Sequence, residues 1–173
     1  VASSLQALGK TRDARAFGAL LEGLATRSWD ETIAAGAVRG LGALADARAL
    51  TPLLEAMRPE SPEAVRRATA GALAELGTTV EAVRTEVVDA IERALHDKSY
   101  LVRTAAFAAA EKLGDKRLLP VLDVLAETED DGRLRRDAIE AAMRIRDEQK
   151  KPAAIAELRE EVDRLRAESQ TLR

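Results

Sequence analysis

Apolar positions recur along this chain in repeats of 32 to 37 residues. A leucine or isoleucine closes the first helix predicted in each repeat, and these residues are Leu8, Leu44, Leu76, Leu113 and Ile145. Eleven residues before four of them lies a branched aliphatic residue, at Ile33, Val65, Val102 and Leu134. Self-similarity with this period is typical of a solenoid, in which each repeat buries its apolar face only against its neighbours.

The pattern inside each repeat predicts a pair of helices. The first helix carries apolar residues at helical spacing, for example Val65, Ala68, Ala72, Leu73 and Leu76. Residues suited to capping precede it in four repeats, at Asp30, Ser61 with Pro62, Ser99 and Asp131. Glycines predict left-handed turns at three helix ends, at Gly9, Gly77 and Gly114. A short turn, such as "DARAL" from Asp46, then leads into the second helix.

The pattern therefore predicts an all-α protein, a right-handed α-solenoid of about four and a half helix pairs over residues 1–146. A polar linker at 147–152 and a separate helix at 153–173 are predicted to follow. Val1 falls where Ala37 falls in the next repeat, so the first repeat is truncated and lacks its opening turn. We expect the chain to be part of a longer protein.

Composition restricts the kind of core and the kind of partner. Of 173 residues, 46% are apolar but only 2% are aromatic, which favours closely packed helices built from Ala, Leu and Val. The chain has no cysteine, which excludes disulfides and cysteine-bound metals, and it has no apolar run long enough to cross a membrane. A net charge of −3 argues against binding to nucleic acid. A cytoplasmic location is favoured, while a periplasmic or secreted one stays open.

Residue types that carry catalysis are nearly absent from the sequence. The single histidine, His96, is predicted to end the second helix of the third repeat and is interpreted as a helix-end residue. With one histidine in the sequence, a His-Glu-Xaa-Xaa-His zinc motif is impossible here. The glycines near Gly36, Gly40 and Gly42 are interpreted as small-residue helix faces rather than a phosphate loop. We therefore expect no catalytic residue, metal or cofactor in this chain.

Three segments together resemble the HEAT repeat family. They are "GALADARALTPLLEAM" at 42–57, "VRRATAGALAELG" at 65–77 and "VRTAAFAAAEKLGDKRLLPVLDVL" at 102–125. The resemblance covers residues 1 to about 146 and is closest to the short bacterial HEAT-like repeats typified by phycobilin lyases. Ankyrin repeats fit less well because "TPLL" occurs once, and tetratricopeptide repeats fit less well because their aromatic positions are missing.

Two charged ladders follow the repeat. The basic ladder is Arg66, Arg103 and Arg135, each directly after the aliphatic position. The resemblance implies a structural role for it, in which each arginine pairs with the turn aspartate of a neighbouring repeat, such as Asp46 or Asp115. The acidic ladder lies on the second helices, at Glu22, Glu55, Glu92 and Asp123. In HEAT repeats these helices line the concave surface, so this ladder either contacts a basic partner or is simply a solvated face.

The last 21 residues carry a different pattern, a heptad seam at Ile155, Leu158, Val162, Leu165 and Leu172. Pairing of Glu161 with Arg166 across two chains favours a parallel arrangement, and three heptads predict at most a weak homodimer. The alternative is that Ile155 and Leu158 cap the last repeat. Sedimentation with and without residues 152–173 would separate the two.

Three functions remain compatible with the sequence. The segment "DDGRLRRDAIEAAMRIR" at 130–146 is similar to the C-terminal domain of bacterial M1-family zinc aminopeptidases, which implies a non-catalytic domain that packs on an upstream catalytic domain and limits substrate access. Zinc would then belong to that catalytic domain alone. The first alternative is a free-standing scaffold for protein interactions. A bilin-lyase-like protein is the second, although a bilin pocket should offer more aromatic and histidine side chains.

Overall fold

The computed structural model describes residues 1–150 of the chain, and all regular elements in that part are helical. Its α-helices are α1 (Ala2–Lys10), α2 (Ala16–Ala25), α3 (Thr32–Ala43), α4 (Leu50–Ala56), α5 (Glu63–Thr79), α6 (Arg84–Ala94), α7 (Tyr100–Leu113), α8 (Leu119–Thr128) and α9 (132–150). Short 3₁₀ turns precede four of them, at Trp29–Glu31, Ala47–Ala49, Glu81–Val83 and Lys116–Leu118.

The helices form two layers that follow the repeat. The first helices of successive pairs pack on one another, α1 on α3, α3 on α5 and α5 on α7. The second helices α2, α4 and α6 cover this layer by packing on their own first helix or the next one. The architecture is an α-solenoid, and the predicted fold class is confirmed.

The core follows the periodic positions and is almost entirely aliphatic. The repeat-closing residues Leu44, Leu76, Leu113 and Ile145 are buried, as are Val65, Val102 and Leu134 eleven residues before three of them. Leu8 and Ile33, in the first two repeats, are partly buried. Phe107 is the largest side chain among the fully buried residues of the described part. An α-helical solenoid with few aromatic residues is stabilised by many small contacts of this kind.

The predicted glycine helix ends are wrong at two of three positions. Gly114 adopts a left-handed conformation with φ of 60° after α7, as predicted. Gly9 and Gly77 instead lie inside α1 and α5. A Cβ on Gly9 would lie 2.0 Å from the carbonyl oxygen of Gly40, so this glycine serves the close approach of α1 and α3 rather than a turn.

Two of the predicted caps differ from the structure. Ser99 Oγ accepts a hydrogen bond from the Val102 amide at 3.4 Å, and Asp131 accepts one from the Arg133 amide at 2.8 Å, so these caps form as predicted. Asp30 has a φ of 51° and makes no cap, because Ser28 Oγ takes the Ile33 amide at 3.0 Å instead. Ser61 Oγ donates a hydrogen bond to the Glu55 carbonyl at 3.4 Å rather than accepting one from an amide of α5.

Residues 147–150, where a linker was predicted to begin, continue α9 without a break. The remaining residues of the predicted linker and the heptad helix at 153–173 lie outside the described part. The seam residues Ile155, Leu158, Val162, Leu165 and Leu172 therefore stay a prediction.

Candidate functional site

The basic ladder begins with Arg66, a buried arginine that joins consecutive repeats. Its residue surface is 3% exposed. Arg66 Nε donates to Asp97 Oδ2 at 2.9 Å, and Nη2 donates to Oδ1 at 3.0 Å. Arg66 Nη1 donates to the Ser61 carbonyl at 2.5 Å. This two-pronged contact fastens α5 to the loop that follows α6, because a guanidinium matches a carboxylate with two parallel bonds.

The other two arginines of the ladder contact the loop that follows α8. Arg103 forms an ion pair with Glu129 and donates to the Leu95 carbonyl at 3.0 Å. Arg135 is exposed and donates to the carbonyl oxygen of Glu129 at 2.8 Å. All three arginines of the ladder thus bind groups in the loops between repeats, with less burial at each step along the chain.

The prediction that Asp46 and Asp115 bind the arginines of the basic ladder is wrong. Asp46 binds Arg48 of its own turn, with Nη2 and Oδ2 2.6 Å apart. Asp115 likewise binds Arg117, with Nη2 and Oδ2 2.9 Å apart. Each turn aspartate also accepts the backbone amide of that arginine, so its carboxylate is already engaged within its own turn.

Arg84 provides a further link between repeats that the sequence pattern did not indicate. Its Nη2 donates to the Leu113 carbonyl at 2.6 Å, and its Nε donates to Asp115 Oδ2 at 3.2 Å. Arg84 also reaches the carbonyl of Gly77 at 3.2 Å. Arg84 begins α6, whereas α4 and α8 begin with Leu50 and Leu119, so this helix position carries no ladder of like residues.

Electrostatic contacts lower the pKa of the carboxyl groups in these links. Hydrogen bonds from Arg117 and then Arg84 hold the pKa of Asp115 well below its ordinary value, against the opposing effect of burial. Burial raises the pKa of Asp97, but hydrogen bonds from Arg66 and the Ser99 amide outweigh it and lower the pKa. The hydrogen bond from Arg103 lowers the pKa of Glu129. The three carboxylates are therefore charged at neutral pH and committed to structure.

The acidic ladder lies on the second-helix layer. Glu22, Glu55 and Glu92 are exposed on α2, α4 and α6, and their carboxylates have no partner among residues 1–150. Asp123, on α8, differs because its two carboxylate oxygens accept hydrogen bonds from Arg146 Nη2, at 2.8 and 2.6 Å. Three of the four predicted residues thus present free carboxylates, and the fourth is paired.

A cleft of about 490 Å³ lies between the ends of α4 and α6. Its apolar floor consists of Leu54, Met57, Ala90 and Ala94. Basic side chains stand around this floor, at Arg58, Arg93, His96 and Lys98. The prediction that His96 ends the second helix is close, since it lies two residues after α6. The cleft as a whole was missed because its residues come from two repeats and share no period.

Residues 1–150 were predicted to hold neither a metal nor a membrane-spanning segment. Among residues 1–150, no group of three or more His, Cys, Asp or Glu side chains is arranged to hold a metal ion. Within the same residues, every helix is too short or too polar to cross a bilayer.

Comparison with known proteins agrees with this architecture. The family model for HEAT repeats matches the chain twice, over residues 19–84 and 60–143. Among solved structures, the chain is similar to one in "the complex of CpcE and CpcF of phycocyanin lyase from Nostoc sp. PCC7120", with 21% sequence identity and a TM-score of 0.60. That match covers 81% of this chain and 96% of the other. No curated protein matches the sequence. The predicted likeness to HEAT-like repeats of the lyase type is confirmed at the level of the fold.

Proposed function

The chain belongs to the HEAT repeat family, and from this premise we propose that it is a non-catalytic module that binds another protein through its second-helix layer. The observation that carries the proposal is the row of unpaired carboxylates at Glu22, Glu55 and Glu92. They stand on successive second helices at steps of 33 and 37 residues, so the solenoid repeats the same charge along one layer. A regular row of this kind complements a partner with spaced basic or amine groups.

The structural neighbour supports a protein as the partner. That neighbour is part of a complex of two proteins, CpcE and CpcF, and the likeness to it extends over most of both chains. Stacked helix pairs expose long surfaces without a deep reaction chamber, and such surfaces are used for binding. Charged residues at the rim of an interface chiefly steer association and select partners.

Photo-cross-linking tests which layer binds. A photoreactive residue in place of Asp89, which is exposed on α6, should capture the partner in cells that make the protein. The same residue in place of Ala108, exposed on α7 of the first-helix layer, should not. Equal capture from both positions would contradict a preference for the second-helix layer.

Charge reversal then tests the ladder itself. Glu55→Lys with Glu92→Lys should weaken binding of the captured partner about fivefold or more, since each reversal turns an attraction into a repulsion. The fourth ladder residue is left unchanged, because its reversal would also break the pair with Arg146. The matched control is Glu75→Lys with Glu140→Lys on the first-helix layer, which changes the net charge equally and removes only exposed, weak ion pairs. Unchanged affinity in the first variant would reduce the ladder to a solvated face.

A peptidase parent remains a prediction that rests on the sequence resemblance alone. The comparisons add nothing in its favour. If the parent is a peptidase, the chain would pack on its own catalytic domain. A His-Glu-Xaa-Xaa-His motif encoded in the parent's reading frame is the observation that tests this prediction.

The structural match makes a bilin-lyase-like role the second candidate. At 21% identity it supports a shared fold and no more. Adding a linear tetrapyrrole to the purified chain tests this candidate, because binding in a fixed conformation changes the tetrapyrrole's absorption spectrum. We expect no saturable spectral change, since Phe107 is buried in the core and aromatic rings are absent from the lining of the α4–α6 cleft within the described part.

A further inference from the structure

We propose that the cleft between α4 and α6 binds a short acidic segment of a partner protein, with an apolar side chain of that segment on the cleft floor. This basic cleft is lined by Leu54, Met57, Arg58, Pro59, Ala90, Arg93, Ala94, His96, Asp97 and Lys98. Its volume of about 490 Å³ lies within the usual range of binding pockets.

The basic side chains of this cleft are exposed, and none of them forms a hydrogen bond or ion pair with another residue of the described part; they are Arg58, Arg93, His96 and Lys98. In contrast, Arg66 beneath the same loop is fully engaged. Against the effect of burial, Arg66 and, to a smaller extent, Lys98 lower the pKa of neighbouring Asp97. Unpaired cations around one cleft create a local positive field on a chain whose net charge is −3.

The carboxylate in the cleft lining does not cancel this field. Asp97 accepts two bonds from Arg66 and another from the Ser99 amide at 2.8 Å. Ser99 in turn donates from Oγ to Glu63 Oε2 at 2.7 Å. This network holds the loop that follows α6 against α5 and leaves His96 and Lys98 facing outward. The backbone that carries His96 and Lys98 is therefore held against α5 by hydrogen bonds.

The surroundings of the cleft favour a short acidic segment over a long polyanion. Glu55 lies next to Leu54 on α4, and Glu92 lies next to Arg93 on α6. A nucleic acid that extended beyond the cleft would meet these free carboxylates. The described lining also offers no aromatic ring on which a base could stack. A peptide can place acidic residues at the cleft and neutral or basic residues over Glu55 and Glu92.

This inference rests on the proposed function, because it places part of the same partner protein on the same helix layer. It adds that the partner carries both signs of charge. Basic groups would contact the free carboxylates of the second helices, and an acidic group beside an apolar side chain would enter the basic cleft. Alternation of charge across one surface is the usual way in which a protein interface fixes register.

Direct binding of defined peptides tests the proposal. The probe is a fluorescent pool of hexapeptides in which glutamate alternates with leucine, methionine or valine, and fluorescence anisotropy gives the affinity. The controls are the same pool with glutamine in place of glutamate, the same pool with lysine in that place, and a short oligothymidylate. We expect saturable binding of the acidic pool alone, and weaker binding as salt concentration rises.

Matched charge reversals locate the binding site. Arg58→Glu with Arg93→Glu should lower the affinity for the acidic pool about tenfold or more. The control is Arg39→Glu with Arg67→Glu, two exposed arginines on the first-helix layer that also have no side-chain partner in the described part. It changes the net charge equally and should keep the affinity within about twofold. If the reversed variant unfolds, Arg58→Gln with Arg93→Gln replaces it and should lower the affinity about threefold or more.

Each alternative result overturns the inference. Equal losses in the two variants would show general attraction to a basic surface, and equal binding of the glutamine pool would show an apolar site without charge selection. Preferential binding of oligothymidylate would indicate a nucleic-acid site. A dimer in sedimentation that the Arg58 and Arg93 reversals abolish would indicate a second copy of the chain as the occupant. No saturable binding below about 1 mM would also end the proposal, while cross-linking through Asp89 would still support the proposed function.

Discussion

The two halves of the solenoid join their repeats in different ways. In the amino-terminal half, α1 and α3 touch backbone to backbone through glycines. In the carboxy-terminal half, α5 to α9 are connected by arginines that reach from one repeat to a loop or turn of the next. An aliphatic core runs through both halves, and the links added to it are close backbone contacts in one half and long charged side chains in the other.

The close contacts of the amino-terminal half leave no room for a Cβ atom. One on Gly36 would lie 2.6 Å from the carbonyl oxygen of Ala2, and one on Gly40 would lie 2.6 Å from that of Leu5. The ion pairs of this half, Asp13 with Arg15 and Asp46 with Arg48, stay within single turns, although the Arg48 guanidinium also lies over the Phe17 ring of the preceding repeat, 4.6 Å from its centroid. Close packing of backbones thus links the repeats there beside the aliphatic core, and it depends on van der Waals contact.

The repeats of the carboxy-terminal half are joined by arginines paired with carboxylates instead. Arg66, Arg84 and Arg103 each bind a carboxylate and at least one backbone carbonyl from a neighbouring segment. A buried ion pair adds little stability compared with an apolar replacement of both partners, but the loss of one partner leaves a charge without compensation. The comparison teaches that the backbone contacts between α1 and α3 are sensitive to added volume, and that the arginine links from α5 onward are sensitive to lost or neutralised charge.

Removal of Arg66 should give the largest effect. We expect Arg66→Ala to lower the free energy of unfolding by about 3–5 kcal/mol, because Asp97 would remain largely buried without its partner. The side chains of Arg66 and Asp97 are only 4% and 12% exposed. Chemical denaturation followed by circular dichroism measures the change.

Two further variants sharpen this result. Arg48→Ala removes an exposed arginine of the amino-terminal half, with its local pair to Asp46 and its contact over the Phe17 ring, and should lower the free energy of unfolding far less than Arg66→Ala does. Arg66→Met combined with Asp97→Asn removes both charges and should recover much of the lost stability. Equal losses for Arg66→Ala and Arg48→Ala would refute the contrast between the halves.

Added volume should have the next largest effect, and only at a close contact. Gly40→Ala should destabilise the chain by about 1–3 kcal/mol, since the new methyl group meets the Leu5 carbonyl at 2.6 Å and Leu20 Cδ2 at 2.5 Å. Gly71→Ala, in α5 with no atom within 4 Å of the added Cβ, should instead stabilise it by about 0.5–1 kcal/mol. Thermal unfolding of both variants should show shifts of opposite sign.

Acid should weaken the carboxy-terminal half before the amino-terminal half. Asp97, Asp115 and Glu129 have lowered pKa values in the folded chain, so their stabilising contribution is present above their unfolded pKa of about 4 and is lost as pH falls through the folded values. Between pH 7 and about 5 we expect no change from these groups.

Hydrogen exchange measures this difference along the chain. Below about pH 4, protection should fall more in α5 to α8 than in α1 to α4, after correction for intrinsic exchange rates. Asp13 and Asp46 also have lowered pKa values through Arg15 and Arg48, but they make local, solvent-accessible pairs that contribute little across repeats. A uniform loss of protection would mean that these links do not set the local stability.

Reversal of a ladder carboxylate should have the smallest effect on folding. Glu55→Lys should change the free energy of unfolding by less than about 0.5 kcal/mol, because Glu55 is exposed and its carboxylate has no partner in the described part. Chemical denaturation of this single variant checks the expectation. A larger loss would place Glu55 among the structural charges and weaken the case for a binding role.

Local signals in the sequence were interpreted correctly where their cause is local. The caps at Ser99 and Asp131 use amides two or three residues away, so sequence spacing suffices to place them. The prediction that Asp30 caps α3 was wrong because Ser28, two residues earlier, accepts the hydrogen bond from the Ile33 amide. Glycine is ambiguous in sequence, because a turn and a close contact both favour it. Gly114 forms a left-handed turn, whereas Gly9 makes a close contact with Gly40.

The arginine ladder shows where spacing alone is insufficient. Its members were recognised from their period, but Arg66 binds Asp97, which lies 31 residues away in a loop between repeats. The basic cleft similarly unites Arg58 with Arg93 from consecutive second helices. Which acidic or basic groups meet across a repeat depends on the rotation and offset between neighbouring helix pairs, and neither quantity is encoded in the spacing within one pair.

The sequence by itself determined that this chain forms stacked helix pairs around an aliphatic core. Helical periodicity and capping act within a few residues, and the repetition of one pattern leaves each pair only its neighbours to pack against. The tertiary structure alone decided which glycines are contacts, which carboxylates satisfy the arginines and where unpaired charges gather into a cleft. Those features join residues about one repeat apart, and their distances are set by how the pairs stack.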